Sequence, residues 1–90
     1  MEISFDPAKR ALALAERGLD FADAARVFDG PVFEFEDDRF AYPERRFSTI
    51  GLLDGRMVVV IWTEAAAGRR VISMRKANER EQAKFRGSLA

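Results

Sequence analysis

The residues best suited to chemistry lie near the C-terminus, in the run Arg69-Arg70-Val71-Ile72-Ser73-Met74-Arg75-Lys76. It alternates apolar and polar side chains as a strand does, and successive side chains of a strand point to opposite faces. Strict alternation therefore puts Ser73 and Arg75 beside Val71 on one face, and Ile72 and Met74 on the other. A hydroxyl next to a guanidinium suits a phosphate or a carboxylate, because the planar fork of donors matches the spacing of two anionic oxygens. The alternative for Arg75 is a solvated ion pair, the ordinary state of a surface cation. Arg70 and Lys76 add charge nearby, although the same alternation places both with Ile72 and Met74. At Asn78 the pattern turns helical, and junctions of strand and helix are common places for sites.

Absent residue types narrow the chemistry further. The chain has no histidine, the usual general base near neutral pH, and no cysteine. Histidine-dependent serine or cysteine nucleophiles, histidine-ligated zinc, thiolate metal sites and disulfides are thereby excluded. No glycine-rich phosphate loop or dinucleotide fingerprint occurs. Glu34, Glu36, Asp37 and Asp38 supply carboxylates but lack calcium-loop spacing and its turn glycine, so no metal site and no cofactor are expected. One route to phosphodiester cleavage needs none of these groups. The 2′-hydroxyl of RNA attacks the adjacent phosphate, and arginine or lysine stabilises the charge that develops.

The elements that must position these cations are readable in order. Glu2 to Phe5 reads as a short first strand, and Asp6-Pro7 as a helix start with Asp as N-cap and Pro in the first turn. Ala8, Ala11, Leu12 and Ala15 follow at helical spacing, and Gly18 closes the helix. Asp20 caps a second helix whose buried face is Phe21, Ala24, Ala25 and Phe28, ending at Gly30-Pro31. The two helices are expected to form a hairpin with a two-residue connection, Leu12, Phe21 and Phe28 facing a sheet. Val32 to Glu36 reads as an edge strand and Asp37 to Arg45 as a loop.

Asp54-Gly55, between the apolar runs Arg46 to Leu53 and Arg56 to Thr63, is the strongest hairpin signal in the chain. Met57-Val58-Val59-Val60-Ile61-Trp62 is unbroken hydrophobe, which predicts a central strand covered on both faces. Glu64 to Gly68 returns the chain to the strand at Arg70, completing an antiparallel meander. Asn78 with Glu81 three residues on forms a capping box for a last helix through Phe85. The fold class expected is α+β: a two-helix hairpin packed on an antiparallel sheet, with a short C-terminal helix.

At 90 residues the chain fits one domain, 1–90, and 48% hydrophobic with 33% charged residues is ordinary for a folded protein. No apolar run is long enough to span a bilayer, and the start Met1-Glu2-Ile3-Ser4-Phe5-Asp6 lacks the features of a signal peptide. A cytoplasmic protein with no membrane partner is expected. The net charge of zero hides a division. Residues 1–44 hold five cations against eleven acids, and residues 45–90 hold ten cations against four. That asymmetry hints at nucleic acid or an acidic partner for the second half.

Phe5-Asp6-Pro7-Ala8-Lys9, Arg17-Gly18-Leu19 followed by Phe21 and Ala24, and Val27-Phe28-Asp29 resemble the first half of the BrnT family. Asp38-Arg39, Glu44-Arg45-Arg46, Ile50-Gly51, Arg56, Val59-Val60, Trp62-Thr63 and Arg70 through Ala77 with Glu81 resemble its second half. The resemblance runs from about Ile3 to Phe85. It departs at Ala13, where members carry asparagine, at Arg17, where they carry histidine, and at Phe85, where they carry tyrosine.

BrnT is the toxin of a bacterial type II toxin–antitoxin system. The resemblance implies a RelE/ParE-like fold, a ribonuclease activity that arrests translation, and neutralisation by a BrnA-like ribbon-helix-helix antitoxin. Two toxins per antitoxin dimer are then expected, with DNA bound only indirectly, through the antitoxin. Within it, Arg75 is expected to contact the scissile phosphate, with Arg70, Lys76 and Arg17 as further catalytic candidates. Lys9, Arg45, Arg46 and Ser73 are the RNA-binding candidates. The alternative is a weak or inactive protein of the same fold, acting on DNA through its antitoxin complex.

Overall fold

Local signals place most element boundaries. In chain order the elements are β1 (Glu2–Phe5), α1 (Pro7–Arg17), a 3-10 turn (Phe21–Asp23), α2 (Ala24–Asp29), β2 (Val32–Asp37), β3 (Arg46–Leu53), β4 (Arg56–Ala65), β5 (Gly68–Lys76) and α3 (Glu79–Leu89). This computed structural model describes residues 2–89; Met1 and Ala90, the ends of the expected domain, lie outside the described residues. Asp6 caps α1 by accepting from the Ala8 amide, and Gly18 ends it in the left-handed conformation. Asp54 and Gly55 take φ of 52° and 79°, the positive values that a two-residue hairpin turn requires.

The molecule is a mixed α+β structure, a five-stranded sheet with three helices, in the strand order β1-β5-β4-β3-β2. β4 is central, as its unbroken hydrophobicity predicted, and β2 and β1 are the two edges. The sheet is not wholly antiparallel as expected: β1 pairs parallel with β5, Glu2 opposite Gly68 and Phe5 opposite Val71. An all-helical connection, α1 and α2, precedes the meander, so nothing local dictates the direction in which β1 joins its edge. Gly68 makes that approach possible. A Cβ there would lie 2.1 Å from the Glu2 carbonyl oxygen.

Two further expectations are corrected. The second helix begins at Ala24, not Phe21. Asp20 caps the 3-10 turn before it, accepting from Ala22, and residues 18–20 separate that turn from α1. The stripe Ala8, Ala11, Leu12 and Ala15 of α1 faces outward, Leu12 being 58% exposed, while Ala13 is buried. Polar anchors set this rotation. Arg10, Ala13 and Arg17 share a face, and Arg10 donates to Asp20 while Arg17 donates to the Met74 carbonyl oxygen.

Each sheet face has its own core. On one, Phe21, Ala24 and Val27 pack with Val58, Val60, Trp62, Val71 and Met74. On the other, Phe85 and Leu89 of α3 cover Ile50, Val59 and Ala77. Val58, Val59 and Val60 are therefore buried from both sides.

Candidate functional site

A β-bulge in β5 decides which cations share a face. Ile61 of β4 lies opposite Ser73 and Trp62 lies opposite Val71, so Ile72 has no partner across the ladder. Val59, Ile61 and Thr63 share one face of β4, and their partners Arg75, Ser73 and Arg70 share it with them. Strict alternation put Arg70 with Ile72 and Met74; the bulge corrects this by shifting the phase by one residue. Val71 and Met74 consequently both enter the core beneath the first two helices. Lys76, opposite Val58, remains on that other face and is exposed.

Three rows of side chains therefore run across the α3 side of the sheet. The first is Asp37, Arg46, Thr63 and Arg70; the second Phe35, Ser48, Ile61 and Ser73; the third Phe33, Ile50, Val59 and Arg75. α3 packs on the third row, through Phe85 with Ile50 and Val59. Arg70, at the end of the first row, is exposed and has no ion-pair partner among the described residues.

Arg75 is held by Glu81, whose two oxygens accept from Nη1 at 2.7 Å and Nη2 at 2.8 Å. Nη1 also donates to the Lys76 carbonyl oxygen at 3.3 Å. A guanidinium has five N–H donors, so Nε–H and one Nη2–H remain, and these two lie side by side along one edge of the fork. Glu81 is itself fixed by the capping box. It accepts from the Asn78 amide at 2.9 Å, and Asn78 Oδ1 accepts from the Glu81 amide at 2.8 Å. The Arg75 hydrogen bonds, with the Asn78 amide behind them, hold the Glu81 carboxyl below its ordinary range, against the opposing effect of burial. Reciprocally, Glu81 raises the already high pKa of Arg75.

The remaining expected residues divide. Arg46 lies in the first row, with Glu44 as its partner and the Tyr42 ring 4.1 Å away. Arg45 instead pairs with Glu36 and lies over Phe47, residues that face the first two helices. Lys9 and Arg17 approach the open side of β5, where β1 pairing has ended at Val71. With Leu12, Glu16, Ile72 and Ser73 they line a cavity of about 180 Å³. Arg75, Arg70, Ser73 and Arg46 are thus assembled on one face, Lys9 and Arg17 reach its rim beside Ser73, and Lys76 and Arg45 are set apart.

Sequence reasoning missed three residues that the structure brings to this face. Glu81 was legible as a cap, but not as the partner of Arg75 six residues earlier. Arg39 is bound to the buried carboxylate of Asp37, and its charge is felt at both Arg75 and Glu81. Phe35 is 43% exposed at the far end of the Ser73 row. Only the imperfect alternation of β2 hinted that its aromatics were not all core.

The charge division of the sequence is partly neutralised by pairing between the halves. Acids of the first half pair with cations of the second: Glu36 with Arg45, Glu44 with Arg46, and Glu34 with Arg69. Glu34 also accepts from Thr49, which in turn accepts from the Trp62 indole, a polar chain that runs from the surface into the core on the side of the first two helices. No described helix is long and apolar enough to cross a membrane.

No curated protein matches the chain closely enough to stand as a relative. A family model described as "Ribonuclease toxin, BrnT, of type II toxin-antitoxin system" matches residues 5–81, a span that takes in β2 to β5, the bulge and the Arg75–Glu81 pair. The chain belongs to the BrnT family of ribonuclease toxins, which act opposite an antitoxin partner.

Proposed function

We infer that this chain is a single-domain toxin of the RelE/ParE-like kind that cleaves RNA without a metal ion. In the cleavage step the 2′-oxygen bonds to the adjacent phosphorus and gives up its proton to solvent. The bond from phosphorus to the 5′-oxygen breaks, and that oxygen leaves with a proton. The products are a 2′,3′-cyclic phosphate and a 5′-hydroxyl. The phosphoryl oxygens gain charge in the transition state, and preorganised donors aimed at them lower its energy.

The observation that carries this reading is the unspent edge of Arg75. Glu81 occupies one edge of the fork and locks its orientation, while Nε–H and Nη2–H stay available as a parallel pair for two phosphoryl oxygens. Ser73 and Arg70 share that face, and Arg46 continues it toward the flanking backbone. Lys9 and Arg17 support the scissile position from the rim, Arg17 through its anchor on Met74. Lys76, on the opposite face, is the weakest of the catalytic candidates, and Arg45 of the binding ones.

The partner on this reading is a BrnA-like ribbon-helix-helix antitoxin that covers the face bearing Arg46, Arg70 and Arg75. Because such antitoxins are dimers that bind DNA, the assembly holds two toxins and meets DNA only through the antitoxin. Antitoxin capture that survives charge reversal at both Arg46 and Arg70 would place the interface elsewhere.

The deciding experiment incubates purified protein with single-stranded RNA in excess EDTA. Cleavage with cyclic-phosphate ends is expected, and its loss in Arg75→Ala excludes a contaminating nuclease. Cleavage that stops in EDTA and returns with magnesium refutes the metal-independent step.

A further inference from the structure

Phe35 has no place in the chemistry above, yet it is a large aromatic side chain on the same sheet face. It lies in one register row with Ser48, Ile61 and Ser73, three strands from the Ser73 and Arg75 end. Strands lie about 4.8 Å apart, so the ring is about 14 Å from Ser73 across the sheet. Its orientation is fixed from behind. Phe85, buried under α3, lies 4.9 Å from Phe33, and Phe33 meets Phe35 edge to face at 6.2 Å.

Arginines alternate with aromatics on this side. Beyond Phe35 the row of Asp37 and Arg46 begins, Arg39 pairs with Asp37, and the Arg46 guanidinium lies 4.1 Å from the Tyr42 ring centroid. Three of the face's four arginines are paired, with Asp37, Glu44 and Glu81. The Arg46–Glu44 pair is partly exposed and worth little, so Arg46 exchanges readily onto phosphate, while Glu81 stays on its own edge of Arg75.

We propose that single-stranded RNA crosses this face from β5 to β2, and that a nucleobase further along the strand from the scissile phosphate stacks on the Phe35 ring. This rests on the ribonuclease reading and adds a positioning platform to it. Guanidinium groups that follow a backbone, interleaved with exposed rings, make the arrangement that binds single-stranded nucleic acid with little sequence preference. A duplex has its bases stacked already and offers none to the ring. Phe35 acts through the bound strand and touches no reacting atom.

The test measures binding of a 2′-O-methyl RNA oligonucleotide, which cannot undergo the 2′-hydroxyl attack, by fluorescence anisotropy over a range of salt. Phe35→Ala is expected to weaken Kd by about 5- to 150-fold, the usual range for one lost stack, and Phe35→Trp to retain binding. The salt dependence of Phe35→Ala stays that of the parent, because no phosphate contact is lost, whereas Arg70→Ala lowers the slope by about one. Melting curves of the variants establish that they are folded. Binding by folded Phe35→Ala within twofold of the parent overturns the platform while leaving the nuclease reading intact. Unchanged RNA binding with weakened antitoxin capture also overturns it, and makes Phe35 part of a protein interface. A parent that neither binds nor cleaves single-stranded RNA removes both.

Discussion

In the proposed ribonuclease Arg75 has two tasks, holding the junction of β5 and α3 through Glu81 and presenting two donors to phosphate. Substitution separates them. Arg75→Ala removes both donors, and losing one preorganised contact to transition-state charge costs about 10²–10³ in rate. Glu81→Gln keeps an oxygen for the Asn78 amide but abandons the charge-assisted fork, so the guanidinium stays present and unheld. A misplacement of about 1 Å can cost up to 10²-fold, and a loss of about 10- to 100-fold in kcat is expected.

The two groups act as a unit, so the double variant should be no slower than Arg75→Ala alone. Stability moves much less. The side chains of the pair are 41% and 21% exposed, and a pair this solvated contributes about 1 kcal/mol. For a domain of this size that lowers Tm by about 4–8 °C. The assay is single-turnover cleavage of an end-labelled RNA, with melting curves on the same preparations. Arg75→Ala that is folded and cleaves within threefold of the parent refutes the phosphate role and leaves Arg75 as a structural cation. Losses that multiply in the double variant refute the coupling to Glu81.

Two predictions concern the fold. Val60 is fully buried on the central strand. Val60→Asp forfeits about 1.5–3 kcal/mol of apolar burial and adds several more for an unpaired buried carboxylate, against a total stability of about 5–15 kcal/mol. Circular dichroism should show an unfolded chain, and an unaltered melting curve would remove β4 from the core. The second concerns acid. Hydrogen bonds from Arg10, seconded by the Ala22 amide, lower the Asp20 carboxyl from 3.8 to about 2. A carboxyl depressed in the folded state stabilises fully above its ordinary pKa and loses that contribution as pH falls toward the folded value. Asp20→Asn should therefore lower Tm near neutral pH, and the deficit should shrink below the ordinary pKa and disappear as the pH falls through about 2. A deficit that is constant across this range would mean that the Arg10–Asp20 pair does not anchor α1.

Much of this protein is written locally. The Asp54-Gly55 turn, the apolar run of β4, the Asp6 and Asn78 caps and the edge position of β2 all depend on residues within a few positions of one another. Backbone sterics and hydrogen bonds of neighbours are enough to specify them. The ribonuclease toxin family was legible too, because its matches recur in order along most of the chain. The outward turn of α1 was not. Its most apolar stripe, Ala8, Ala11, Leu12 and Ala15, yields to Arg10 and Arg17, whose anchors Asp20 and Met74 are placed by the tertiary structure.

The site shows the same division. Ser73 and Arg75 fall on one face by simple alternation, and the ladder keeps them there. Arg70 joins them only because Ile72 bulges from the ladder, and Glu81 reaches Arg75 only because α3 folds back beneath the end of β5. Three acids of the first half are spent on cations of the second. Residue type and period are properties of the chain. Which charges remain unspent, and on which face they meet, depends on strand register and helix docking, and those are settled only when distant segments pack together.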